Sequence, residues 1–141
     1  EVAQAAFAAA EAALVAPEGM RSDDLRFALR LLGAALGRRA LRVARDGAWF
    51  APPGEDAKTL GRREAPRRML AALAEARLEG RVLDADLLLA AGWPGERMAA
   101  QSASNRVHVA LSALRKLGLK PFIVREDEGW TLAPTVPLRL A

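Results

Sequence analysis

The sequence predicts an α+β fold: a small antiparallel sheet, then three helices, then a closing β-hairpin, with a helical hairpin ahead of them. Three observations predict it. Residues 40–44 alternate apolar and polar side chains, Asp46-Gly47 is a strong hairpin-turn pair, and residues 48–51 supply the return strand. Residues 62–117 carry apolar side chains at helical spacing, interrupted at Gly80 and at Gly92-Trp93-Pro94-Gly95. Residues 122–132 hold two short β-prone runs on either side of an acidic turn.

Taken in order, residues 2–15 are Ala-dominated and read as a helix stopped by Pro17 and Gly19. Ser22 reads as the N-cap of the next helix, with Asp23 and Asp24 in its first turn. Leu25, Leu29, Leu32 and Leu36 give that helix one apolar stripe, and Gly37 ends it. These two helices form the hairpin of residues 1–37, either the end of a preceding helical region or an extra layer on the main domain.

Ala40–Ala44, Ala48–Ala51 and Lys58–Leu60 are the strands of the small sheet. A helix over 62–76 buries Met69, Leu70, Leu73 and Ala76, with Pro66 near its start, where proline is tolerated. Asp84 caps a short helix through Ala91, with Leu87, Leu88 and Ala91 inward. The longest helix of this region covers 99–117 and closes on Gly118. Phe122–Arg125 and Trp130–Leu132 are the strands of the last hairpin, and Pro134 and Pro137 make residues 134–141 an extended tail.

Composition narrows the chemistry. The 141 residues are 52% apolar and 27% charged, as in a soluble domain with at most a small appendage. The chain has no apolar run of membrane-spanning length, and Glu1 and Glu11 break the N-terminal alanines without a basic n-region, so neither a membrane span nor a secretory leader is expected. Because the chain opens on Glu1, a longer parent is expected. There is no Cys and a single His, so disulfides, thiol chemistry and multi-His metal sites are excluded. Asp23-Asp24 and Asp84 with Asp86 read as caps and first-turn acids, not as a hydrolytic pair. No phosphate loop is present. Neither an enzyme, a cofactor nor a metal is expected.

The charge distribution says more than the net +4. Between Arg97 and Arg125 stand six bases (Arg97, Arg106, Arg115, Lys116, Lys120 and Arg125) and no acid. A one-sign stretch suits a polyanion, although a solvated helix face in an Arg-rich chain has the same pattern. On the 101–117 helix, Val107, Leu111 and Leu114 share the inward face. Ser102, Asn105, Val109, Ser112, Ala113 and Lys116 face away, with Arg106 and Arg115 on opposite flanks. Such a helix fits a major groove. Arg62, Arg63, Arg67 and Arg68 form a second basic cluster, suited to a DNA backbone or an acidic partner. His108 is either a plain helix residue or a phosphate contact. Trp49, Trp93 and Trp130 read as core and loop anchors.

A basic helix followed at once by a hairpin is the layout of a winged helix. Residues 105–118, Asn-Arg-Val-His-Val-Ala-Leu-Ser-Ala-Leu-Arg-Lys-Leu-Gly, resemble the recognition-helix signature V-x-V-x-I-x-x-L-R of OmpR-like winged-helix effector domains of bacterial transcription factors. Gly129-Trp130-Thr131-Leu132 resembles the Gly-Tyr-x-Leu that closes that family's wing, and Gly92-Trp93 sits where the family has Trp-Gly. The resemblance covers residues 38–133 and is similar to the C-terminal modules of multidomain bacterial signalling ATPases and regulators. It implies a cytoplasmic transcription regulator that binds double-stranded DNA. Groove contacts would come from Ser102, Asn105, His108 and Ser112, and phosphate contacts from Arg106, Arg115, Lys116, Lys120 and Arg125. The chain departs from the family at His108, Ala110 and Ala113, and its hairpin turn is acidic at Glu126, Asp127 and Glu128. Those departures carry the alternative, a protein-interaction module whose bland face of Val109, Ala110 and Ala113 meets another domain of a longer parent chain or a separate partner.

Overall fold

A computed structural model describes residues 22–141. The helix expected over residues 2–15 lies outside them. Helix α1 (Ser22–Arg39) starts with Asp23 and Asp24 in its first turn, where carboxylates offset the positive end of the helix dipole. It runs two residues past the stop expected at Gly37. Phe27, Leu29 and Leu31 are exposed on it, and none of its described side chains belongs to the hydrophobic core.

Strands β1 (Leu41–Val43), β2 (Trp49–Ala51) and β3 (Lys58–Thr59) follow as an antiparallel run. Val43 lies opposite Phe50, and Trp49 opposite Thr59. The first turn is built by Asp46, whose Oδ1 accepts the Ala48 N–H at 3.0 Å, and by the Gly47 N–H, which donates to the Ala44 carbonyl at 2.9 Å. Short-range polar chemistry therefore fixes this register, and the apolar partners Val43 and Phe50 bury beneath it.

Helix α2 (Glu64–Leu78) is the central element. It packs on α3 (Ala85–Gly92), on α4 (Ala100–Leu114) and on the last hairpin through Met69, Leu70, Leu73, Ala74 and Ala76. Asp84 caps α3, accepting the Leu87 N–H at 2.9 Å. On α3 the sequence expectation fails at one residue: Leu88 is fully buried, while Leu87 is 47% exposed. The inward face of the helix is centred on Leu88, with Ala85 and Leu89 packed beside it, and that rotation turns Leu87 outward.

Regular α-geometry in α4 stops at Leu114, three residues short of the expected end. The chain unwinds through a wide turn over Arg115–Leu119, where Gly118 takes φ +136° and the Lys120 N–H donates to the Arg115 carbonyl at 3.2 Å. That φ is accessible to glycine at little cost, which makes Gly118 the point where the helix can reverse. Strands β4 (Ile123–Glu126) and β5 (Gly129–Leu132) form the expected hairpin, with Glu126 opposite Gly129.

The tail is extended but not free. Strand β6 (Leu138–Leu140) joins the first sheet, giving the order β3-β2-β1-β6, and runs parallel to β1. The sheet is therefore mixed, not purely antiparallel. The Leu41 N–H donates to the Pro137 carbonyl at 2.8 Å, and the Ala141 N–H to the Val43 carbonyl at 2.9 Å. Arg77 of α2 fastens the approach to β6, its Nη2 donating to the carbonyls of Pro134 and Val136, each at 3.1 Å. Phe50, Met69, Leu73, Leu88, Leu111, Leu114, Leu119 and Leu132 belong to one core that joins the sheet, the three helices and the hairpin. Each such side chain contributes roughly 1.5–3 kcal/mol by leaving water.

Candidate nucleic-acid interface

Helix α4 divides cleanly. Val107, Ala110, Leu111 and Leu114 are buried, while Ser102, Asn105, Val109, Ser112 and Lys116 are exposed. Ala110 corrects the sequence reading, which put it on the outer face: three residues beyond Val107 and four before Leu114, it lies inside the buried sector. Its methyl group helps α4 sit close on its neighbours. The outward stripe is consequently narrower, with Val109 69% exposed at its centre and Ala113 half-buried at its edge.

Beside the C-terminal half of α4 lies an open, shallow concavity. Arg63, His108, Val109, Ser112, Ala113, Lys116 and Leu117 line it. Arg63 comes from the residue before α2, and it is the contribution that the pattern on α4 alone does not reveal. The signal was present in the Arg62–Arg68 cluster, whose members the fold separates. Arg68 pairs with Glu64 at 3.3 Å, one turn earlier on the same helix, and Arg67 is half-buried. The lining therefore holds two basic side chains, a hydroxyl and an imidazole, and no carboxylate.

The flanks of α4 differ. Arg106 Nη1 donates to Glu96 Oε2 at 2.9 Å, and its guanidinium lies 5.9 Å from the centre of the Trp93 ring. Arg106 thus braces the turn between α3 and α4. Both partners are about half exposed, and an ion pair of that kind is worth only ~0–1 kcal/mol, so a stronger anion can displace Glu96. On the other flank Arg115 is half-buried, and Lys120 is exposed just past the helix.

The hairpin reaches α4 through Trp130, which is 95% removed from solvent. The His108 ring stands edge-on to it, with centroids 5.9 Å apart and an interplanar angle of 79°. Arg125 lies over the same indole at 5.0 Å. His108 therefore packs on the hairpin from the exposed side of α4. The tip of the hairpin points three exposed carboxylates, Glu126, Asp127 and Glu128, into solvent. Asp127 holds φ +54° there.

Of the nine residues singled out in the sequence, Ser102, Asn105, Ser112 and Lys116 share one exposed stripe. His108 edges the concavity, Arg106 and Arg115 flank the helix, Lys120 follows it, and Arg125 sits on β4. Among the described residues no group of three or more His, Asp or Glu side chains is placed to hold a metal ion, and no helix is long and apolar enough to cross a membrane. No family model matches this chain, and neither a curated protein nor a solved structure matches it.

Proposed function

We propose that residues 38–133 form a winged-helix domain that binds double-stranded DNA, as the effector part of a transcription regulator. Helix α4 enters the major groove and the β4–β5 hairpin serves as the wing. The observation that carries this reading is the carboxylate-free concavity, where Arg63 and Lys116 flank the polar outer face of α4. Phosphates are then engaged by Arg63, Arg115, Lys116 and Lys120, and by Arg106 once phosphate displaces Glu96. Most of the affinity is electrostatic and steeply salt-dependent.

The test is a fluorescence-anisotropy titration of the chain against a labelled duplex of mixed sequence over a series of salt concentrations. The expected result is a linear fall of log K with log salt. A double variant, Arg63→Ala with Lys116→Ala, shallows that slope by about 1.8. Absence of binding at about tens of micromolar protein near 0.15 M salt overturns the reading.

The exposed acidic tip at Glu126–Glu128 favours a second reading, in which the same face meets a basic protein surface. Three carboxylates on a wing repel phosphate but suit a cationic partner. If the chain ignores DNA, light scattering of the chain mixed with a basic polypeptide such as polylysine tests this reading, and two independent species count against it.

A further inference from the structure

The outward stripe of α4 is chemically selective, and its selectivity depends on what it lacks. Over its first three turns the exposed groups on that stripe are the Ser102 hydroxyl, the Asn105 amide and the Val109 isopropyl group. No guanidinium or ammonium stands among them. Arg106 leans to the flank and is held by Glu96 and Trp93, and Lys116 lies nearly two further turns along, over the concavity with Arg63. Guanine is read in the major groove chiefly by Arg or Lys on O6 and N7, whereas adenine is read by an Asn or Gln amide on N6 and N7. Thymine alone among the four bases presents a methyl group there, and an apolar side chain recognises it.

Val109 is the decisive residue. At 69% exposure it is the most solvent-exposed large apolar side chain among the described residues. It lies one turn beyond Asn105 on the same face, so the two groups fall about 6 Å apart along the helix axis. An amide that pairs with adenine and an isopropyl group that covers a thymine methyl are complementary to neighbouring A·T pairs. They offer a G·C pair little.

Resting on the DNA-binding reading above, we infer that α4 is an A·T reader, in which Asn105 hydrogen-bonds adenine and Val109 packs on the C5-methyl of a nearby thymine in the major groove. Ser102 and Ser112, which can donate or accept, tolerate either pair at the edges.

The experiment uses the whole chain and three duplexes with identical flanks: an A·T core, the same core with deoxyuridine in place of thymidine, and a G·C core. Uracil removes only the major-groove methyl and leaves the minor-groove acceptors in place, so it separates methyl contact from recognition of a narrow minor groove. Loss of one buried methyl predicts roughly fourfold weaker binding to the uracil duplex, and the G·C core binds about tenfold or more weakly. Val109→Ser, a change at an exposed position that replaces the apolar cover with a hydroxyl, abolishes the thymine–uracil difference while the salt slope stays as in the parent chain. Asn105→Ala narrows the gap between A·T and G·C cores. Equal affinity for the thymine and uracil duplexes, or a thymine–uracil difference that survives Val109→Ser, overturns the inference while leaving DNA binding intact. Failure to bind any of the three duplexes overturns both.

Discussion

Leu83 and Trp130 exchange both of their backbone hydrogen bonds: the Leu83 N–H donates to the Trp130 carbonyl at 3.0 Å, and the Trp130 N–H to the Leu83 carbonyl at 2.8 Å. This single rung fixes the hairpin to the chain between α2 and α3, and so sets where Trp130 meets His108 on α4. The close approach needs a bare backbone next to it. A Cβ on Gly129 would stand 2.6 Å from both the Leu83 carbonyl oxygen and Val82 Cγ1. Gly129→Ala therefore destabilises the domain by about 1–3 kcal/mol, as overpacking against backbone does. A urea denaturation curve with an unchanged midpoint contradicts this.

Arg77 supports the tail from a distance in sequence. Its two hydrogen bonds, to Pro134 and Val136, are made by one charged nitrogen and hold the approach to β6. Arg77→Ala is expected to cost about 2 kcal/mol. Its signature is faster hydrogen exchange at the Leu41 and Ala141 amides, which bond across the β1–β6 junction. Uniformly accelerated exchange throughout α2 and α4 as well points instead to global loss of stability.

Asp127 occupies a left-handed conformation at the hairpin tip, φ +54°. Glycine adopts it without a Cβ clash, so Asp127→Gly stabilises the hairpin by about 0.5–1 kcal/mol. It also removes one of three negative charges. Under the proposed function, affinity for duplex DNA rises a few-fold at low salt and the gain shrinks as salt is added. A lower melting temperature, or weaker DNA binding at low salt, counts against this account.

The pairing of Arg106 with Glu96 gives a further prediction. Because the pair is half exposed, breaking it costs at most ~1 kcal/mol of stability. Glu96→Gln then frees a cation on the flank of α4, and DNA affinity increases, whereas Arg106→Ala lowers it. Anisotropy titrations of both variants at one salt concentration decide the matter, and affinities unchanged in both remove Arg106 from the interface.

Much of the architecture was legible because it rests on local chemistry. Asp46-Gly47 specifies its turn through one side-chain oxygen and one glycine. Asp84 caps α3 as its position before an apolar run suggested, and Gly118 reverses the chain through a φ that other residues avoid, in the wide turn that follows the earlier end of α4 at Leu114. Val107, Leu111 and Leu114 are buried because their spacing keeps them on one face. What escaped was what tertiary structure decides. Leu138 and Leu140 alternate with Arg139 as a strand should, but three residues after two prolines carry too little signal, and only pairing with β1 makes them β6. Leu87 and Leu88 are chemically equivalent, and packing alone separates them. In the candidate site, the polar stripe followed from periodicity. The arrival of Arg63 did not, since it depends on how α2 lies beside α4. Glu96 stands one residue before the acid-free stretch, close enough in space to pair with Arg106 although the run of like charges had suggested otherwise.

The union of β1 with β6 has a kinetic corollary. Those strands are separated by roughly a hundred residues of chain, so the loop they close is among the most entropically demanding in the domain, and contacts of such long range are gained late. During synthesis the helices and the hairpin emerge while the outer margin of β1 still has no neighbour, a template on which another nascent chain can dock. Refolding followed by pulse-labelled exchange should show the Ala141 amide protected after those of α2, and a chain cut before Leu138 should self-associate more readily than the intact one.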